Sequence, residues 1–229
     1  MLKIGLVICL LIVELVIYYL FGSLASFLVQ IITVCFLFYW YNSERKSSFN
    51  CTDKLLVAST IISLFSPLAA YIPDFFVSTA TRFTVIIMSY LLIIRMFKIE
   101  GAKITFTTKS NIFLVTISYI FVPFAFFTTV IYPLSSIKTI IITGVYMLPL
   151  LYMVLLSTFL PFPEKAKLYL SLAMFFILLS SGISAYRLYL SPFFFDYSLV
   201  RIGVTLCRLF MLLGMLHRFE PRASNSVLS

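Results

Sequence analysis

Side chains able to do acid, base or metal chemistry are scarce in this 229-residue chain: one histidine, eight carboxylates and four cysteines, against 25 phenylalanines and 14 tyrosines. Glu14 and Arg208 fall inside long apolar runs. A charged side chain there costs about 2.5–3.5 kcal/mol on insertion scales, so each calls for a partner or a function. A protonated Glu14 would be a hydrogen-bond donor, and Arg208 offers a planar fork to a carboxylate or a lipid phosphate. The two are expected to pair, joining the first apolar run to the last. With Gln30 they are the candidate lipid or partner contacts. Asp74, Arg82, Arg187, Asp196 and Arg201 fall near run ends and are expected to be solvated interface charges. The only histidine, His217, ends the last run beside Arg218, where a cation complements a helix dipole. The cysteines are scattered, and no Gly-x-Ser-x-Gly, His-Glu-x-x-His or phosphate-cradling glycine loop occurs. No metal and no cofactor is expected.

The elements that must hold these groups follow from composition. With 62% hydrophobic and 11% charged residues and a mean hydropathy of +1.11, the chain is not a water-soluble globule, which carries about 25% charged residues. Apolar runs of about 20 residues, the length that crosses the hydrocarbon core, cover 4–20, 23–41, 55–72, 76–97, 111–131, 137–160, 168–187 and 199–217. The expected fold is all-α, a polytopic membrane bundle of about eight transmembrane helices. A β-barrel would instead show alternating segments of about ten residues. The first run is long and lacks a small-residue cleavage site, so it reads as a retained span. Residues 1–217 form one domain; the serine-rich tail 218–229, with Pro221, is expected to be disordered or held by a partner. Pro67, Pro123 and Pro149 fall inside runs and should kink or break them, which can frame a cavity.

Short cytoplasmic loops keep an excess of Lys and Arg. With the N-terminus inside, twelve basic residues are cytoplasmic and four, Arg82, Lys138, Arg187 and Arg201, lie at the outer face. Both termini are then cytoplasmic. The net charge of +9 is mainly an orientation device. It is spread over separate loops, so no nucleic acid is expected as partner. Asn50, Cys51 and Thr52 form a glycosylation sequon on the cytoplasmic side, where it reads as chance. Low Gly and Ala with high Ile, Phe, Ser and Lys points to an AT-rich bacterial source and an inner-membrane location.

Across the third, fourth, seventh and eighth runs the pattern resembles the YhhN-like lysoplasmalogenase family of eight-helix membrane proteins. The stretch Ser63, Leu64, Phe65, Ser66, Pro67, Leu68 looks like the end of the family's third helix. Phe83, Ile87 and Tyr90 look like its fourth-helix Phe, His and Tyr. Leu179, Ser180, Ser181, Gly182, Ile183, Ser184, Ala185 look like its seventh-helix motif, and Thr205, Leu206, Leu209 and Phe210 faintly echo the last helix. The resemblance implies an acidic pair on the third and seventh helices that cleaves a vinyl ether bond. Here those positions are Pro67 and Ser181, and the supporting His is Ile87, with Phe83 and Tyr90 kept beside it. Acid–base catalysis contributes about 10²- to 10⁴-fold per group, so the expectation is a scaffold without the family's chemistry. It would bind a membrane lipid or serve as accessory subunit of a membrane protein complex. The alternative is a lysoplasmalogenase-like hydrolase of a vinyl ether or ester bond whose acid is displaced to Asp74, Asp196 or Glu14. A transporter ranks last, since paired midplane charges and an inverted repeat are not visible.

Overall fold

In an apolar solvent every backbone N–H and C=O must be satisfied within its own segment, and runs this long meet that demand as helices. The computed structural model describes residues 2–45, 49–104, 121–132 and 137–219. They form α1 (Leu2–Phe21), α2 (Ser23–Glu44), α3 (Cys51–Leu64) with a 3₁₀ extension (Ser66–Tyr71), and α4 (Phe75–Ile99). A short α5 (Val122–Phe126) runs into a π-helical stretch (Phe127–Ile131). Then come α6 (Ile137–Thr158), α7 (Glu164–Tyr189) and α8 (Asp196–Leu216), closed by a 3₁₀ turn (His217–Phe219). Seven of these helical segments are long and apolar enough to cross a membrane, so the chain is a multi-pass helical membrane protein. Of the expected fifth span, 111–131, residues 111–120 lie outside the described residues.

Several helices start earlier than the apolar runs, because polar caps extend them. Asn50 caps α3 with its side chain on the Asp53 N–H while Asp53 reaches back to the Asn50 N–H, a reciprocal capping box. Asp74 caps α4 through the Val77 N–H at 2.7 Å. The acids Glu164 and Asp196 fall in the first turns of α7 and α8, facing the positive end of the helix dipole. Between α1 and α2 the chain reverses at Gly22, whose φ of 85° is open to glycine at little cost.

The prolines act differently. α3 stops at Leu64, and Pro67 sits in the first turn of the 3₁₀ extension. Pro123 opens α5 just before the π stretch, whereas Pro149 lies within an unbroken α6.

Contacts between helix ends fix the layout. Lys3 meets Glu44, Arg45 meets Asp53 and Arg218 lies 3.5 Å from Glu100, gathering the starts of α1 and α3 with the finishes of α2, α4 and α8 at one end. At the other, Ser23 bonds Tyr71 at 3.0 Å, Tyr19 bonds Ser198 at 2.8 Å and Arg187 makes an ion pair with Asp196 at 3.0 Å. Residues 3 and 218 therefore share one end. The most extensive packing is α7 against α8, where Gly214 approaches Ala166 and Leu170 in the small-residue manner of membrane helices. By contrast α1 buries only Val7, Leu11 and Glu14.

Candidate functional site

Between α2, α3, α4, α6, α7 and α8 lies a cavity of about 1740 Å³, larger than the roughly 300–1,000 Å³ of ordinary small-molecule pockets. Most of its wall is apolar: Phe27, Phe38, Ile86, Ile93, Met147 and Leu212 among others. The charged groups among its described lining residues are four arginines, Arg82, Arg187, Arg201 and Arg208; that lining holds no Asp, Glu, Lys or His.

Two arginines have acid partners. Arg201 Nε donates to Glu14 Oε1 at 2.5 Å, both side chains being buried. Arg187 Nε forms an ion pair with Asp196 Oδ2 at 3.0 Å. The other two have none among the described residues. Arg208 Nη2 donates to the Ser63 hydroxyl at 3.0 Å, and its strongest charged neighbour is Arg201. Arg82 makes no hydrogen bond or ion pair with the described residues, its Nε is buried, and its charged neighbour among them is Arg187. Four guanidinium groups set against two carboxylates leave the cavity with two uncompensated positive charges. In a low-dielectric site such charges raise the local affinity for anions.

The expected pairing of Glu14 with Arg208 is corrected here: Glu14 pairs with Arg201. Depth decides it. At 1.5 Å per residue, Glu14 lies about 10 Å from the Phe21 end of α1; Arg201 is about 8 Å and Arg208 about 18 Å from the Asp196 end of α8. Arg201 and Asp196 are also not the solvated interface charges expected, being 7% and 6% exposed. Gln30 is buried, with Nε2 3.4 Å from the Tyr197 hydroxyl. Its Oε1 and Glu14 Oε2 have no hydrogen-bond partner. Neither residue lines the cavity.

Of the positions singled out by the family resemblance, Pro67, Tyr90 and Ser181 line the cavity, and Ile87 lines a separate pocket of about 150 Å³ between α4 and α6. Tyr146, which the sequence did not single out, bridges the other two. Its hydroxyl is 3.1 Å from that of Tyr90 and 3.0 Å from Ser181 Oγ, and Phe83 stacks on its ring at 4.6 Å. Among the described residues this chain of hydroxyls has no imidazole or carboxylate bonded to it. Asp74 is engaged as a helix cap, Asp196 as an ion-pair partner of Arg187, and the His217 ring stacks on Tyr169 at 5.4 Å.

A second polar cluster also escaped the sequence. Asp53, 0% exposed, accepts from the Tyr41 hydroxyl at 2.5 Å, the Asn50 N–H at 2.9 Å and Arg218 Nη1 at 3.1 Å, and it pairs with Arg45. It ties α2, α3 and the end of α8 together. The Asn50-x-x-Asp53 spacing was the available signal. Arg218, expected at the head of a disordered tail, is buried against this cluster; residues 220–229 lie outside the described part.

No family model, curated protein or solved structure matches the chain.

Proposed function

We propose that this is a non-catalytic, multi-pass membrane protein on a YhhN-like scaffold, bacterial and in the inner membrane with both termini cytoplasmic, that takes a membrane lipid into the cavity. The observation that carries the reading is the cavity itself, which is too large and too apolar for a polar small molecule and bears cations on its wall. The acid–base pair that would turn a lipid site into a hydrolase is absent from the described lining, and the hydroxyls of Tyr90, Tyr146 and Ser181 supply hydrogen bonds rather than a nucleophile with a base. Pro67 and Ser181, which look like the family's acidic pair, serve here as part of the pocket wall.

Native mass spectrometry on the gently solubilised protein tests this. A single chain carrying one tightly held lipid is expected. A chain that arrives bare, or in stoichiometric complex with another protein and without lipid, contradicts the reading and points to the accessory-subunit role instead. Incubation with a vinyl ether lysolipid should release no aldehyde.

A further inference from the structure

Building on that lipid-binding reading, we infer that the ligand is a net-anionic phospholipid, selected over zwitterionic lipids by Arg82 and Arg208. Both guanidinium groups line the cavity and neither has a carboxylate partner among the described residues. Arg208 spends one Nη2 bond on Ser63, which leaves further N–H donors of its fork, the geometry that matches phosphate oxygens. The selectivity has an attractive and a repulsive side. Both lipid classes carry a phosphate diester, but only in a net-anionic lipid is its charge, the partner that Arg82 and Arg208 lack, left uncancelled by an ammonium. The ammonium of a zwitterionic headgroup finds no carboxylate on the described wall, where Glu14 and Asp196 are already held by Arg201 and Arg187. A fatty-acid carboxylate shares the oxyanion chemistry, but desolvation favours its neutral form, whereas a phosphodiester stays ionised. Depth separates the two cations. Arg82 lies about two turns into α4 from Phe75, and Arg208 more than three turns into α8 from Asp196, so one can engage an incoming headgroup and the other a deeper seat.

The test is a competition on the delipidated full chain, read by native mass spectrometry. Phosphatidylglycerol and phosphatidylcholine of matched acyl chains are offered at equal concentration, with oleate and inorganic phosphate in separate arms. Wild type is expected to prefer phosphatidylglycerol at least about tenfold, the worth of roughly one charge-assisted interaction of 1.4 kcal/mol. R82Q and R208Q each reduce that preference and the double variant abolishes it, with phosphatidylcholine binding falling less than phosphatidylglycerol binding. The melting temperatures of these variants should hold or rise, because neither substitution strands a buried acid. Equal uptake of both lipids by wild type, or a preference that survives in the double variant, overturns the inference while leaving the lipid site standing. Displacement of phosphatidylglycerol by oleate or by phosphate alone at equal concentration also overturns it, assigning the site to a carboxylate or a free anion. Failure of either lipid to bind removes the lipid-binding reading itself.

Discussion

At the scale of single residues, this chain separates charges that hold the fold from charges that face a ligand. Removing one member of a buried pair strands the other, which typically costs about 3–5 kcal/mol, so Asp53→Ala should lower the melting temperature sharply by leaving Arg45 and Arg218 without their shared acceptor. Losing Lys3 or Glu44, an exposed pair, should leave it unchanged. Glu14→Arg combined with Arg201→Glu should recover much of the stability lost by either change alone, and Glu14→Arg combined with Arg208→Glu should not. Thermal unfolding in detergent reads all of these. Glu14 and Arg208 were legible in the sequence because a lone charge in an apolar run is conspicuous. Arg201 was not, since five residues from Asp196 it looked like an end-of-helix charge, and nothing along one chain says that α1 covers it.

At the scale of helices, the contact between α7 and α8 rests on two glycines. A Cβ at Gly214 would sit 2.6 Å from Leu170 Cγ and 3.2 Å from the Ala166 carbonyl, so Gly214→Ala should destabilise by about 1–3 kcal/mol, the usual penalty of overpacking. A Cβ at Gly203 meets chiefly the Ser180 hydroxyl. Gly203→Ala should therefore cost less once Ser180→Ala removes that oxygen, and a double-mutant cycle in thermal unfolding measures the coupling. The spans themselves were readable from hydrophobic run length. Their starts were misplaced by three or four residues at α3, α7 and α8, because the first-turn acids Asp53, Glu164 and Asp196 belong to the helices although they are polar.

At the scale of the whole molecule, residues 3 and 218 share one end of the bundle, and the proposed orientation puts that end in the cytoplasm. Of the cysteines, Cys51 is exposed and begins α3 at that same end. In a variant retaining Cys51 alone, a membrane-impermeant maleimide should label it only after the cytoplasmic face is opened, whereas Lys138→Cys, near the start of α6, should react on intact cells. The reverse pattern would invert the orientation. The cavity was only partly legible: Pro67 and its neighbours hinted at broken helices. Its arginine-lined wall depends on how α4, α7 and α8 face one another, and local periodicity does not encode that. The most direct test is lipid retention when the cavity is filled. Gly182 lines it, and a Cβ there meets nothing within 4 Å, so Gly182→Phe introduces a ring at the cavity wall from a position with room for its Cβ. Native mass spectrometry after a mild detergent wash should find one lipid on wild type and none on an equally stable G182F; lipid retained equally by both would contradict the cavity as the binding site.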